Sequence, residues 1–575
     1  MDNAQFSFTF REIASLLELQ KDDPFRVRAY RRAAQTIENL GESLQDIARR
    51  NALEDIPGIG QTLAREIQEL LEVGSLRYHE HLKSTVPESL LPLLRLPSLS
   101  SDQVRMLWRH HDITSLPQLS QALRDERLPF ETATLEAIAG DVAAWQRHQR
   151  RVLLGVALPR AETLVQNLAR LPLVDRISLA GSLRRGVEMV GDINIVVASP
   201  DPPQLIHLCN RQPEVREVID TGPTSTRLIT SEGLHLSLIA VPRQHFACAL
   251  LQHTGSAAHH AALQRCARQY GYVLTEHGLS RIEDGSLIPT PEEEDIYFRL
   301  GLPYIAPELR EDRGEIDAAM AGRLPALVTM EDIRGDLHVH SAWGQGTHSL
   351  EDIARAAQKM GYEYVAICDY ASDTASGHSL SSAALAQQID AIQQLNATLP
   401  MGVRLLAGAE VEIAPNGELQ IADEILARLD IVIAAAHSGF KAPRRALTRR
   451  FCKAMEHPLV HVLAHPANRM LGRQHTPAID LQTILETAVE TATCLEINSH
   501  VLRLDLPDRH VQQARNLGVS FALGSDAHTI QDMRTLRLGV STARRGWGEP
   551  RQLLNTLPYH HLRRRLQHQD VSHVT

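Results

Sequence analysis

In the second half of this chain, short apolar runs recur between helical stretches, and each delivers a histidine, glutamate or aspartate at or near its end. The first is Asp336-Leu337-His338-Val339-His340-Ser341. Residues two apart on a strand share a face, so His338 and His340 present two imidazoles side by side, as a metal ion requires. Glu410 follows in Ala-Gly-Ala-Glu-Val-Glu-Ile, His437 after the run Ile431 to Ala436, and His465 at the close of Val-Leu-Ala-His-Pro. Asp526 and His528 stand in Ser-Asp-Ala-His. One such pair among 28 histidines could be two ordinary strand residues; the recurrence argues against that reading. A barrel of parallel strands presents its site residues in this way, from the C-terminal strand ends. Imidazoles and carboxylates converging there favour Zn, Mn or Fe.

A chain of 575 residues is too long for one core and implies several domains. Six scattered cysteines with no Cys-x-x-Cys argue for a reducing, cytoplasmic setting and against a disulfide scaffold or cysteine zinc site. No apolar run approaches membrane-spanning length, and the first residues do not read as a secretory leader. With a net charge of −10, nucleic-acid binding has to come from local basic patches.

The first 50 residues read as amphipathic helices, with Phe10, Ile13, Leu16 and Leu17 at helical spacing, and Ala33, Ala34, Ile37 and Leu40 likewise. Between them Arg26, Arg28, Arg31 and Arg32 offer phosphate contacts or, more blandly, a solvated helix face. The stretch Ile56-Pro57-Gly58-Ile59-Gly60 then leads into a helix. Gly58 and Gly60 let backbone N–H groups approach a phosphate, and a helix N-terminus favours the anion. This is similar to a helix-hairpin-helix motif, which grips DNA by its backbone. A second, degenerate copy spans Leu96 to Asp102 and lacks both glycines.

Near residue 151 the pattern turns α/β. Pro159 to Leu171 reads as a helix and Val174 to Ala180 as a strand, followed by Gly181-Ser182-Leu183-Arg184-Arg185-Gly186 and a second strand from Gly191 to Val197. Gly181, Ser182, Arg184 and Arg185 suit a triphosphate cradle. Gly-Ser followed by Gly-Asp-Ile-Asn on the next strand looks like the signature of nucleotidyltransferases. With Thr254-Gly255-Ser256, Thr275-Glu276-His277-Gly278-Leu279, Gly301-Leu302-Pro303-Tyr304-Ile305 and Arg313-Gly314-Glu315-Ile316, the chain resembles a bacterial-type X-family DNA polymerase fused to a polymerase-and-histidinol-phosphatase (PHP) domain.

The resemblance implies a helix-hairpin-helix region (residues 1–85), a fingers-like helical domain (86–150), a nucleotidyltransferase palm (151–245) and a thumb (246–315). A linker (316–334) and a distorted (β/α)7 PHP barrel (335–575) complete it. It implies gapped or 3′-ended DNA as partner, with dNTP, no membrane and a monomer, and 3′–5′ exonuclease activity in the barrel. Two departures stand out. The palm's three Mg²⁺-binding aspartates become Asp192, Asn194 and Ser237, so Mg²⁺ is weakly held or absent and the polymerase site is read as inactive. The lysine required for a lyase step falls at Glu66, with no lysine between Lys21 and Lys83. The family's barrel uses nine ligands around three ions. His338, His340, Glu410, His437, His465, Asp526 and His528 match, whereas Gln345 and Tyr370 replace two ligands of one ion. Two ions, Mn or Zn, bridged by Glu410 are therefore expected, with His348 or His378 as possible substitutes at the third position. Rival readings are a gap-filling polymerase with Glu188 or Asp220 covering the lost acids, and a non-catalytic DNA-end scaffold.

Overall fold

The structure, a computed structural model, describes all residues except 1–2, 39–43, 74–75, 126, 150, 375–378, 399–401, 441, 473–478 and 568–575. Leu40 and His378 therefore lie outside the described residues. Two compact units are present: one built on Met1–Gln149, the other on Arg150–Thr575 without the loop His437–Lys441.

The first unit is helical. Its opening helix Asn3–Gln20 buries Phe10, Ile13, Leu16 and Leu17, and the next, Pro24–Glu38, buries Ala33, Ala34 and Ile37, as the 3.6-residue spacing requires. A single buried core runs from Phe6 to Val142, so the boundary expected at 85/86 lies within it. In place of a second glycine turn, Ser100 caps the helix Ser101–His111 in a reciprocal capping box with Gln103.

Among its described residues the second unit carries a two-stranded sheet, Val152–Leu153 with Met189–Val190, and three larger sheets in succession. The palm sheet comprises β1 (Arg176–Ala180), β2 (Ile193–Ala198), β3 (Val215–Thr221), β4 (Ser225–Thr230) and β5 (His235–Val241), in the order β1-β2-β5-β4-β3, with only β2 and β5 parallel. The helix expected from Pro159 begins five residues earlier and spans Leu154–Leu168, with Pro159 inside it. Burial of Leu154, Ala157 and Ala161 against the sheet outweighs the hydrogen bond the proline cannot make. A small antiparallel thumb sheet follows: β6 (Tyr272–Thr275), β7 (Gly278–Arg281) and β8 (Leu287–Ile288).

Seven parallel strands then form the barrel: β9 (Gly335–Val339), β10 (Tyr364–Ile367), β11 (Arg404–Glu412), β12 (Ile431–Ala435), β13 (Val462–Leu463), β14 (Cys494–Asn498) and β15 (Phe521–Gly524). All are buried apart from Arg404 at one strand end, as strands covered on both faces must be. Main-chain bonds from Asp526 to His338 (2.9 Å) and from His340 to Ala527 (2.9 Å) join the last strand end to the first. Among the described residues no helix is long and apolar enough to cross a membrane.

Candidate metal centre and palm

The C-terminal ends of β9, β11, β12 and β15, with the loop after β13, converge two groups of potential metal donors. His338, His340 and Asp526 form one; Glu410, His437 and His465 form the other, with the donor atoms of each group within 4.8 Å of one another. The Glu410 carboxylate lies between them, with Oε1 3.0 Å from His465 Nε2 and Oε2 3.9 Å from His338 Nε2. His340 Nε2 lies 3.0 Å from Asp526 Oδ1. His338 Nε2 and His340 Nδ1 are buried with no hydrogen-bond partner. Buried imidazole nitrogens left open beside carboxylates fit a divalent cation, because isolation is otherwise costly. His465 and Asp526 adopt positive φ (28° and 54°), conformations that non-glycine residues hold only when surrounding structure imposes them.

The surroundings lock this geometry. Asp336, fully buried, accepts the N–H of His338 (3.2 Å) and of Ser525 (3.0 Å), tying the first ligand strand to the last. Glu496 Oε1 lies 2.7 Å from His338 Nδ1, and its Oε2 accepts the N–H of His465 at 2.8 Å. Burial opposes charge on His338, but Glu496, with Glu410 and Asp526, overcomes it and pushes the imidazole up to about 10. Asn498 donates to Glu496 (3.2 Å) and to Asp526 (3.1 Å).

Where Gln345 and Tyr370 stand, the chemistry differs. Gln345 is exposed, and the Tyr370 hydroxyl donates to Glu412 at 3.2 Å. The acid beside it, Asp369, is held by Ser341 and by the Gln388 amide (2.5 Å). His528 turns Nδ1 to the Asp526 carbonyl (3.0 Å) and packs its ring 4.3 Å from that of His340. It joins neither group of three among the described residues. His348 sits beside Thr347 (2.9 Å) and also joins neither.

In the palm, strand register sets Asn194 beside Ser237, Ser237 beside Arg227, and Arg227 beside Asp220. These line a cleft of about 560 Å³ with His245 and His253. Asp192 is exposed, and the palm assembles no group of three metal donors among the described residues. Neither proposed stand-in carboxylate is uncommitted: Asp220 pairs with Arg227 (2.9 Å) and Glu188 with Arg469 (2.7 Å). The cradle arginines also have partners. Arg184 grips Glu293 with both terminal nitrogens (3.0 and 2.7 Å) and reaches the Thr254 hydroxyl. Arg185 binds Glu311 (2.9 Å) and the Thr254 carbonyl (2.7 Å). Gly181 (φ 65°) and Ser182 begin a one-turn helix, and a Cβ on Gly181 would stand 2.6 Å from the Asn194 amide nitrogen. In this arrangement the charge of Arg184 and Arg185 fastens palm to thumb.

A relative from Bacillus subtilis (strain 168), named DNA polymerase/3′–5′ exonuclease PolX, is 33% identical over 549 residues, covering 94% of this chain and 95% of its own length. The chain belongs to the bacterial PolX family. Residues 1–76 match the helix-hairpin-helix domain, 249–311 the DNA polymerase beta thumb and 336–500 the PHP domain. Rat DNA polymerase lambda is 27% identical over 297 residues, 44% of this chain and 48% of that protein. A probable phosphatase of Syntrophotalea carbinolica is 28% identical over 230 residues, 38% of this chain and 90% of that protein. Membership of the PolX family accounts for the order of helical region, thumb and parallel barrel.

Within this family frame the helical unit places its basic residues unevenly. Gly58 adopts φ 90° in the turn before the helix Gln61–Val73, and a Cβ on the exposed Gly60 would meet nothing within 4 Å. Arg26 pairs with Asp22 (3.2 Å) and lies over Tyr78, while Arg28 lies over the exposed Phe25 ring. Arg32 flanks the glycine turn: a Cβ on Gly58 would meet its Nε at 3.3 Å. Glu66 accepts the Tyr30 hydroxyl (2.8 Å).

Proposed function

We propose that the barrel hydrolyses phosphodiester bonds at DNA 3′ ends, with divalent ions held by His338, His340 and Asp526 and by Glu410, His437 and His465. The observation that carries this reading is the Glu410 carboxylate, one oxygen toward each histidine set. Ions bound there supply polarisation of the phosphodiester and a water of lowered pKa. The chain's own contribution is placement. Glu496 holds the His338 ring so that Nε2 faces the centre. Asn498 and Asp336 fix the Asp526 end of the site. His528, stacked beside His340, stands at the rim, where it meets the departing nucleotide. Gly58, Gly60 and the neighbouring Arg32 grip duplex backbone, with Arg26 and Arg28 outside the turn.

The palm is proposed as a DNA-end holder without polymerase chemistry, because Asn194 and Ser237 carry no charge and Asp220 and Glu188 are engaged elsewhere. The test is purified protein with Mn²⁺ and a 3′-labelled gapped duplex, read for loss of the terminal nucleotide. His437→Ala is expected to lose activity about a hundredfold or more, since removing one ligand opens the site. Equal rates for wild type and His437→Ala would sink the proposal.

A further inference from the structure

The helix Arg444–Met455 follows β12, the strand whose C-terminal end leads to His437. Its twelve residues hold five cations, Arg444, Arg445, Arg449, Arg450 and Lys453, and no acid, in a chain of net charge −10. In a parallel barrel the helix after a strand starts at the face where the strand ends. Its first turn therefore lies at the end of the barrel that carries the donor groups. One contact fixes this placement. Arg450, buried, reaches Glu412 at 3.1 Å and the Ile413 carbonyl, two and three residues beyond Glu410 on the same stretch.

Three of the five cations have carboxylate partners: Arg450 with Glu412, Arg444 with Asp480 (3.3 Å) and Lys453 with Glu418 (3.2 Å). Arg445 and Arg449 are exposed and have no acid partner among the described residues. They stand four residues apart, on one face of the helix. Arginine in a first helical turn opposes the helix dipole, and like charges at this spacing repel. The arrangement costs stability as it stands and is relieved by a polyanion.

We propose that Arg445 and Arg449 form a phosphate track that leads a single-stranded 3′ end across the barrel face to the donor groups. This rests on the hydrolase reading above, and adds the substrate's path and its strandedness. Two guanidiniums one helical turn apart suit successive phosphates of an extended strand, which are read by charge without sequence preference.

The experiment compares the full-length protein with Arg445→Gln/Arg449→Gln and Arg445→Lys/Arg449→Lys. Binding of a 3′-fluorescein oligothymidylate is measured in EDTA over a range of salt, so that turnover plays no part. Two lost phosphate contacts lower the slope of log affinity against log salt by about 1.4, at about 0.7 per single-strand phosphate. The lysine pair is expected to retain the wild-type slope. An unchanged slope in the glutamine pair, with its melting temperature unaltered, overturns the track. So does a slope lost equally in the lysine pair, since a point-charge contact survives that exchange. With Mn²⁺ present, the glutamine pair should raise KM for the oligonucleotide roughly tenfold with kcat little changed. A wild-type protein that binds with the expected slope but never shortens the strand refutes the hydrolase reading and leaves the track standing.

Discussion

Glu496 Oε1 stands 2.7 Å from Nδ1 of His338, and the same carboxylate accepts the main-chain N–H of His465. One buried acid thus orients a residue of each donor group. A carboxylate behind a ligating histidine fixes its tautomer and strengthens it as a ligand. Glu496→Gln is expected to lower Mn²⁺ affinity roughly 10–100-fold. Isothermal titration with metal measures this without reference to catalysis. Unaltered affinity would show that the contact merely packs the barrel.

Gly524 makes the same point sterically. A Cβ there would stand 2.5 Å from His338 Cβ and 2.6 Å from Glu496 Oε1. Gly524→Ala should displace both side chains, weaken metal binding and cost about 1–3 kcal/mol of stability by overpacking. Chemical denaturation alongside metal titration separates the two effects.

Acid sensitivity is expected from the thumb. Burial alone would raise the Glu293 carboxyl, but Arg310 and Arg184 overcome it and hold it at about 2, below its ordinary 4.5. A depressed folded-state pKa stabilises above the unfolded value and is lost as pH falls through the folded one. The contribution should be complete above pH 4.5 and disappear toward about 2. Glu293→Gln strands buried Arg310 and should cost about 3–5 kcal/mol at neutral pH. Its unfolding should also show a shallower dependence on pH within that window, read by hydrogen exchange in the helix Glu293–Arg299.

The palm can be tested by restoring charge. Register pairs Asn194 with Ser237, so Asn194→Asp with Ser237→Asp would put two carboxylates beside each other, with Asp192 two residues away. Metal stabilisation of phosphoryl transfer is worth several kcal/mol, on the order of a hundredfold or more in rate. The double variant should gain Mg²⁺-dependent primer extension by that factor over wild type. Primer extension by the unaltered protein at the variant's rate would show that the palm never lost its chemistry.

The convergence of the barrel's donor residues was legible because strand periodicity and ligand chemistry coincide: His338 and His340 share a face, Glu410 lies near the end of its strand's ladder, and His437, His465 and Asp526 each come just beyond a strand end. The roles of neighbouring residues were not legible. Nothing local marks Glu496 as the residue behind His338, because they are 158 positions apart in the chain. That Arg184 and Arg185 pair with Glu293 and Glu311 was not legible either, because those acids lie 109 and 126 residues away. Pro159 misplaced a helix start because burial, invisible in local propensity, outweighed a missing donor. Arg445 and Arg449 escaped notice because one helix in an acidic chain carries no motif.

The grip of Arg184 on Glu293 bears on what a sequence fingerprint can report. Because its guanidinium holds a buried carboxylate with both terminal nitrogens, Arg184 is constrained by the architecture whatever the neighbouring cleft binds. A pattern that includes this arginine therefore marks a shared scaffold and is not by itself a record of catalysis.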